Sequence, residues 1–261
     1  MNVKRMMNPS PGVKAPATWD RFTFLVNHHQ SVARLFILAA GLLVFLALLP
    51  ASIRITFWES LQSHKVLAIM LIVFSLLAIS LVWSTGQQMD AWVFLFFNLH
   101  GRRSLWLDRI MLGFTQIGNG IASLGIALVL FFASDHLLSY EIILGTLTLW
   151  LVVELVKLLI HRSRPFIRLI QARIVGFKPA GRSFPSGHTS QAFFMATLLA
   201  HHFHSSVWVV LLFYTAALLV GLTRMYVGAH YPRDVLAGAI LGSAWGLLGL
   251  IFDGYVLNGI G

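Results

Sequence analysis

The sequence predicts an all-α fold, a polytopic membrane helix bundle in which a six-helix core is preceded by one extra N-terminal helix. Three observations carry this expectation. Of the 261 residues, 57% are hydrophobic and only 11% are Asp, Glu, Lys or Arg, against about 25% charged residues in an ordinary soluble domain. Uncharged apolar runs recur along the chain, and about 20 residues at 1.5 Å rise span the hydrocarbon core of a bilayer. Cysteine is absent, which removes disulfide frameworks, thiolate nucleophiles and Cys-ligated zinc without locating a compartment. A water-soluble enzyme does not fit this composition.

The elements follow in chain order. Residues 1–34 contain Pro9, Pro11, Pro16 and scattered charges, and read as a tail or surface-lying segment. Residues 35–65 form the extra helix and its loop, with the apolar run at 35–49. That run is short and follows a basic tail, but the approach is too long for the n-region of a signal peptide. The core, residues 66–261, carries runs at 66–83, 111–132, 137–160, 189–203, 207–225 and 235–256. Between Trp83 and Met111, the stretch DAWVFLFFNLHGRRSLWLDRI mixes aromatic residues with Arg102, Arg103, Asp108 and Arg109. It suits an amphipathic helix at the lipid interface, or else a tilted and poorly formed span. No internal repeat and no second domain is visible.

With 19 basic and 9 acidic side chains the formal charge is +10, which by itself points to anionic partners, nucleic acid or acidic lipid surfaces alike. The placement of the charges decides between them. Ionisable groups in or beside membrane helices are costly and mark function by default, and three polar islands stand out: KLLIHRSRP at 157–165, FPSGHT at 184–189 and TRMYVGAHYPRD at 223–234.

In the first island Lys157, His161 and Arg164 fall at i, i+4 and i+7, one face of a helix end that Pro165 stops. Cations converging there would bind an anion; taken alone they equally fit basic side chains snorkelling to the interface. Glu154, three residues before Lys157, is a candidate counter-charge. In the second island Ser186 is placed to cap the helix that follows, so that the N–H groups of Gly187 and His188 point outward at the positive end of its dipole. Such an end accepts a phosphate. His188 beside it can give a proton to a leaving group at neutral pH. A plain capped helix with an interfacial histidine is the competing reading.

In the third island His230 and Asp234 are one helical turn apart, the spacing at which a carboxylate can accept from one ring nitrogen and leave the other to attack. Arg224 adds a further cation at the end of the preceding helix. The remaining histidines, His28, His29, His64, His100 and His136 in tails or connections and His201, His202 and His204 at a helix end, have no accompanying carboxylate or cysteine set. No metal and no other cofactor is expected.

Lys157-x6-Arg164-Pro165, Pro185-Ser186-Gly187-His188 and Arg224-x5-His230-x3-Asp234 resemble the three-part signature of the type-2 phosphatidic acid phosphatase superfamily. That superfamily also includes bacterial non-specific acid phosphatases and vanadium haloperoxidases. The third motif usually opens with Ser-Arg, and this chain has Thr223-Arg224, which keeps the hydroxyl. The resemblance covers roughly residues 66–256. It implies that His230 is a nucleophile forming a phosphohistidine, that Asp234 orients it, and that His188 protonates the leaving group and then activates water. It implies that Lys157, Arg164 and Arg224, with Ser186 and the Gly187 N–H, hold the phosphoryl oxygens, and that no metal is needed.

Within that superfamily the composition fits the membrane lipid phosphatases, so the expected partners are the bilayer and a phosphorylated lipid, with no nucleic acid. Undecaprenyl diphosphate, phosphatidylglycerol phosphate and phosphatidic acid are the candidate substrates. Arg168, Arg173, Lys178 and Arg182 in the loop above the motifs suit a polyanionic head group. Two other readings compete: a phosphotransferase that passes the group to a lipid or sugar acceptor, and an anion transporter or inactive lipid-binding protein. The last has no use for a nucleophile and its orienting carboxylate. Seven spans put most Lys and Arg on the motif side, which the positive-inside rule assigns to the cytoplasm. Relatives that recycle lipid carriers place this site outside the cytoplasm, and the expectation here is a cell-membrane protein with an extracytoplasmic site.

Overall fold

The structure, a computed structural model, describes residues 50–99, 104–203 and 206–259 together with positions 40, 44, 47 and 48. The expected tail and most of the 35–49 run lie outside the described residues. Residues 52–261 form one compact unit, distinct from residues 1–51. The described elements are α1 (Ala51–Ser63), α2 (Lys65–Ser80), α3 (Ser84–Leu99), α4 (Leu105–Thr115), a 3-10 turn (Gln116–Gly118), α5 (Gly120–Phe132), α6 (His136–Leu159), α7 (Pro165–Arg168), α8 (Gly187–His202), α9 (Val207–Tyr226) and α10 (Pro232–Gly259). Among the described residues there is no strand; helices suit a chain in hydrocarbon because each satisfies its own backbone groups.

Helix α6, helix α9 and residues Pro232–Ile251 of α10 are each long and apolar enough to cross a membrane. Two bent pairs pass the same test together: α2 with α3, broken by 97°, and α4 through Gly118 with α5, broken by 58°. The expected span at 66–83 is thus the first arm of an elbow. The expected interfacial segment is divided as well, because α3 runs on to Leu99 and α4 starts at Leu105. The reason lies in the stripe Asp90, Phe94 and Asn98, which α3 buries at helical spacing against protein rather than at a lipid interface.

The run at 189–203 becomes α8, only 16 residues long. It is the central helix of the bundle. Thr189, Ser190, Gln191, Ala192, Phe194, Met195, Ala196, Thr197 and Leu198 are all buried. Its polar groups find partners on neighbouring helices: Gln191 donates to the Thr146 hydroxyl of α6 at 2.8 Å, and Thr197 and Tyr214 of α9 share a hydrogen bond of 2.9 Å. The outward faces of α6 and α9 carry exposed Leu144, Trp150, Leu151, Leu155, Trp208 and Leu212, the lipid-facing side of an inside-out polarity.

Helix α10 approaches α8 along Gly238, Gly242 and Gly246, spaced four apart. A β-carbon at Gly238 would lie 2.6 Å from the Ser186 carbonyl oxygen, one at Gly246 would lie 2.7 Å from the Thr197 β-carbon, and one at Gly242 would collide with the Ser190 carbonyl oxygen. Small residues at this spacing let helix backbones meet. Gly242→Val should therefore separate the two helices that carry the second and third islands, at a cost of roughly 1–3 kcal/mol or more. Thermal unfolding of the detergent-solubilised chain is expected to show a clear drop in midpoint, and an unchanged midpoint would rule out this packing.

Candidate active site

The three islands meet at one end of the bundle. Their backbones are stitched together: Ser183 N–H donates to the Arg162 carbonyl at 2.9 Å and Ser186 N–H to the Asp234 carbonyl at 3.0 Å. The His230 ring completes the set through Nδ1, 2.7 Å from the Ser183 carbonyl oxygen. A carbonyl only accepts, so Nδ1 carries the proton and Nε2 keeps its lone pair.

The turn that presents His230 follows from the end of α9. Gly228, with φ of +91°, takes the left-handed conformation that ends helices. Gly228 N–H donates to the Met225 carbonyl, and both Ala229 N–H and His230 N–H donate to the Arg224 carbonyl. Arg224 and His230 therefore belong to one rigid turn.

His230 and Asp234 lie in the expected relation, with a difference. Asp234 Oδ2 is 3.8 Å from His230 Nδ1, beyond hydrogen-bond reach, because the Nδ1–H already donates to the Ser183 carbonyl. The Asp234 carboxylate, wholly buried, instead accepts from Ser183 Oγ at 2.5 Å, from Tyr231 N–H at 2.8 Å and from Arg162 Nη1 at 2.5 Å. It supports the histidine through Ser183 and through its charge.

The helical-face reading of Lys157, His161 and Arg164 fails. Helix α6 ends at Leu159, and Ile160 and Arg164 are extended, as the residue before a proline prefers to be. In an extended segment alternate side chains share a side. Arg162 and Arg164 point into the protein while His161 is exposed. Arg164 is anchored on three carbonyls, Ala180 at 2.8 Å, Ala229 at 3.1 Å and Gly181 at 3.2 Å. Its Nη1 also lies 3.3 Å from His230 Nε2. Lys157 stays on α6 and pairs with Glu154 at 2.7 Å, the counter-charge expected. A β-carbon at Gly187 would be 3.9 Å from Lys157 Nζ, so this ammonium stands at the start of α8.

Arg224, also buried, donates through Nη1 to Thr115 Oγ1 at 2.7 Å. Ser186 occupies the N-cap position of α8, but its hydroxyl pairs with Thr189 Oγ1 at 2.8 Å and makes no cap to the backbone. The expected side-chain cap is therefore absent, and Ser186 closes the first turn of α8 only through its carbonyl, which accepts from Ser190 N–H at 2.9 Å. His188 follows there, half-buried. Burial, then the charges of Arg224, His230, Lys157 and Arg164, push its pKa down to about 3. His230 is likewise pushed down to about 3 by burial and by Arg164 and Arg224, against the opposing pull of Asp234. Both rings are neutral at neutral pH.

Sequence reasoning missed Arg162, Ser183, Thr115 and Asp90. Arg162 reaches Asp234 and Asp90 at once and lies over the Tyr231 ring at 4.3 Å. Among the described residues no three His, Asp or Glu side chains gather as metal ligands. His202 instead pairs with Asp135 at 3.0 Å, and His204 lies outside the described residues.

Comparison with known proteins bears on this site directly. Residues 137–256, which hold all three islands, match the PAP2 superfamily. An undecaprenyl-diphosphatase from Sulfolobus acidocaldarius is 28% identical over 177 residues, covering 67% of this chain and 85% of that protein. A lipid A 1-phosphatase from Rhizobium johnstonii is 37% identical over 105 residues, only 41% of its own length and 38% of this chain. The crystal structure of a transmembrane PAP2 type phosphatidylglycerolphosphate phosphatase from Bacillus subtilis superposes with a TM-score of 0.64 at 25% identity, over 73% of this chain and 96% of that one. Residues 137–256 of this multi-pass membrane chain are thus a PAP2 superfamily domain.

Proposed function

We propose that the chain hydrolyses a phosphate mono- or diphosphate ester of a membrane lipid through a phosphohistidine at His230. The observation that carries this reading is the buried His230 ring, with Nδ1 committed to the Ser183 carbonyl and Nε2 turned toward the Arg164 guanidinium. A cation beside a nucleophilic nitrogen suits an anionic electrophile. Nε2 attacks phosphorus, and the bond from phosphorus to the lipid or phosphate leaving oxygen breaks as His188 supplies a proton. Water then attacks the phosphohistidine while His188 takes back a proton, and inorganic phosphate leaves. Lys157, Arg164 and Arg224, with the Ser186 hydroxyl and the Gly187 N–H, hold the three non-bridging oxygens. The buried charge of Asp234 stabilises the positive charge that develops on the His230 ring.

The low pKa of the empty His188 comes first from burial and then from the surrounding cations, and a bound phosphate dianion, by offsetting those cations, raises its affinity for the proton it must donate. Undecaprenyl diphosphate, phosphatidylglycerol phosphate and lipid A phosphates are favoured as substrates by the names of the relatives, and phosphatidic acid remains in the series. Residues 66–261 are the catalytic core, and the site faces outward from the cell membrane. Since the chain has no cysteine, a single Phe177→Cys change in the exposed loop beside the motifs reports this face. Labelling by an impermeant maleimide in intact cells is expected, and labelling only after lysis would place the site inside.

His230→Ala should abolish phosphate release from these lipids in detergent micelles, by a factor of about 10⁴ or more, and His188→Ala should lower it by about 10²–10⁴. Vanadate should inhibit, and EDTA should leave the rate unchanged. Full activity in His230→Ala would overturn the mechanism, and transfer of labelled phosphate to an added acceptor would select the phosphotransferase instead. The buried neutral imidazoles also set a pH dependence. Each has a folded pKa of about 3 against an ordinary 6.5, so the unfolded chain binds more protons between those values and stability declines as pH falls below 6.5. Melting curves of the empty chain are expected to shift down steadily on acidification through this range, with a shallower slope in His230→Gln.

A further inference from the structure

Asp90 lies outside all three motifs, on α3, and is buried. Its carboxylate accepts from Arg162 Nη2, from Arg233 Nε at 2.7 Å and from Arg233 N–H at 3.3 Å. Arg162 carries the connection inward to Asp234 Oδ1 at 2.5 Å, with Gln87 Oε1 at 3.2 Å as an additional acceptor. Arg233 carries it outward to the end of α2, donating to the Ser80 carbonyl at 2.6 Å and the Ser80 hydroxyl at 3.0 Å. The result is a buried row of alternating charge, Asp234, Arg162, Asp90, Arg233, that runs from beside the His230 ring to the elbow between α2 and α3.

A guanidinium shared by two carboxylates is electrically different from one that faces a single carboxylate. Were Arg162 paired with Asp234 alone, its full positive charge would cancel the negative charge that the His230 ring requires nearby. Asp90 takes up that surplus. Arg233, held in turn on Asp90, keeps the outer end of the row neutral. We propose that Asp90 and Arg162 are positioning residues for the His230–Asp234 pair: Arg162 fixes the Asp234 carboxylate, and Asp90 neutralises Arg162 so that the charge of Asp234 acts on His230. This rests on the reading of His230 as the nucleophile.

The groups that face His230 are Asp234, Arg164, Arg224, the Ser183 carbonyl and, across the cup, His188. None is altered by a change at Asp90. In the purified full-length chain, Asp90→Asn should lower kcat by about tenfold to a hundredfold, the scale of a catalytic group misplaced by around an ångström. KM should stay within about threefold of its original value, since the phosphate clamps are untouched. The acidic limb of the kcat/KM profile should move to lower pH by about half a unit or more, because Arg162 is left uncompensated beside the pair. Asp90→Glu should recover part of the rate. Arg162→Lys, which keeps the charge but lacks the two-nitrogen fork that holds Asp234 on Nη1 and Asp90 on Nη2, should lower kcat similarly and serves if Asp90→Asn does not fold.

A mere tether of α3 would lower only the fraction of folded enzyme. The rates are therefore normalised to sites titrated with vanadate. Normalised kcat within about twofold of the unaltered chain in both Asp90→Asn and Arg162→Lys, with an unmoved acidic limb, would overturn the inference. Activity in His230→Ala would instead remove the reading beneath it, whereas an inactive His230→Ala chain beside fully active Asp90→Asn and Arg162→Lys chains would sink the inference alone.

Discussion

A carboxylate with no access to water governs this protein. Asp234 is completely enclosed, and an enclosed carboxylate without partners is intolerable in a medium of low polarity. Two of its partners bring distant parts of the chain, Arg162 from the segment after α6 and Ser183 from the long connection before α8, and the Tyr231 N–H comes from the turn that leads into Asp234 itself. Satisfying one charge thus assembles three regions that are far apart in sequence. Taking away one member of such a buried pair typically costs roughly 3–5 kcal/mol, so the assembly is enforced by stability and chemistry together.

The cations of the cup are treated in the opposite manner. Arg164 faces three backbone carbonyls and Arg224 a threonine hydroxyl, neutral acceptors that orient a guanidinium and leave its charge unspent. Lys157 alone has a carboxylate, the half-exposed Glu154, where solvent weakens the pairing. The cup therefore offers concentrated positive charge to whatever enters, while the row behind Asp234 is closed and neutral. This division, open charge in front and paired charge behind, is what separates Arg164, a proposed phosphate clamp, from Arg162 although the two are only two residues apart.

Much of this could be read from the sequence, and the failures have physical causes. Composition and uncharged runs pointed to a helical membrane bundle because hydrocarbon leaves few alternatives. The motif residues were legible because ionisable groups are scarce in such a chain. The face assigned to Lys157, His161 and Arg164 was wrong because Pro165 acts on the residues before it, and the resulting alternation turned Arg162 inward in place of His161. A signal existed in Arg-x-Arg-Pro, where an extended reading sends both arginines to one side. Asp90 was hidden in an aromatic stretch that resembles an interface; a lone acid on a helix face otherwise made of Phe94 and Asn98 was the available clue. The Ser183 carbonyl that displaced Asp234 from the His230 ring had no signal, since a main-chain acceptor has no identity in sequence.

The polar character of α8 has a consequence for how the protein is made. A helix of 16 residues bearing Thr189, Ser190, Gln191 and Thr197 is poorly suited to partition into lipid on its own, and its partners Tyr214 and the glycine face of α10 are synthesised after it. Its packing is complete only once those later segments are present. His188 rides on its first turn. The proposed proton donor is therefore seated late, and a chain that stops before α10 already holds Lys157, Arg164, Arg224 and His230 but lacks Asp234 and the glycine face against which α8 packs.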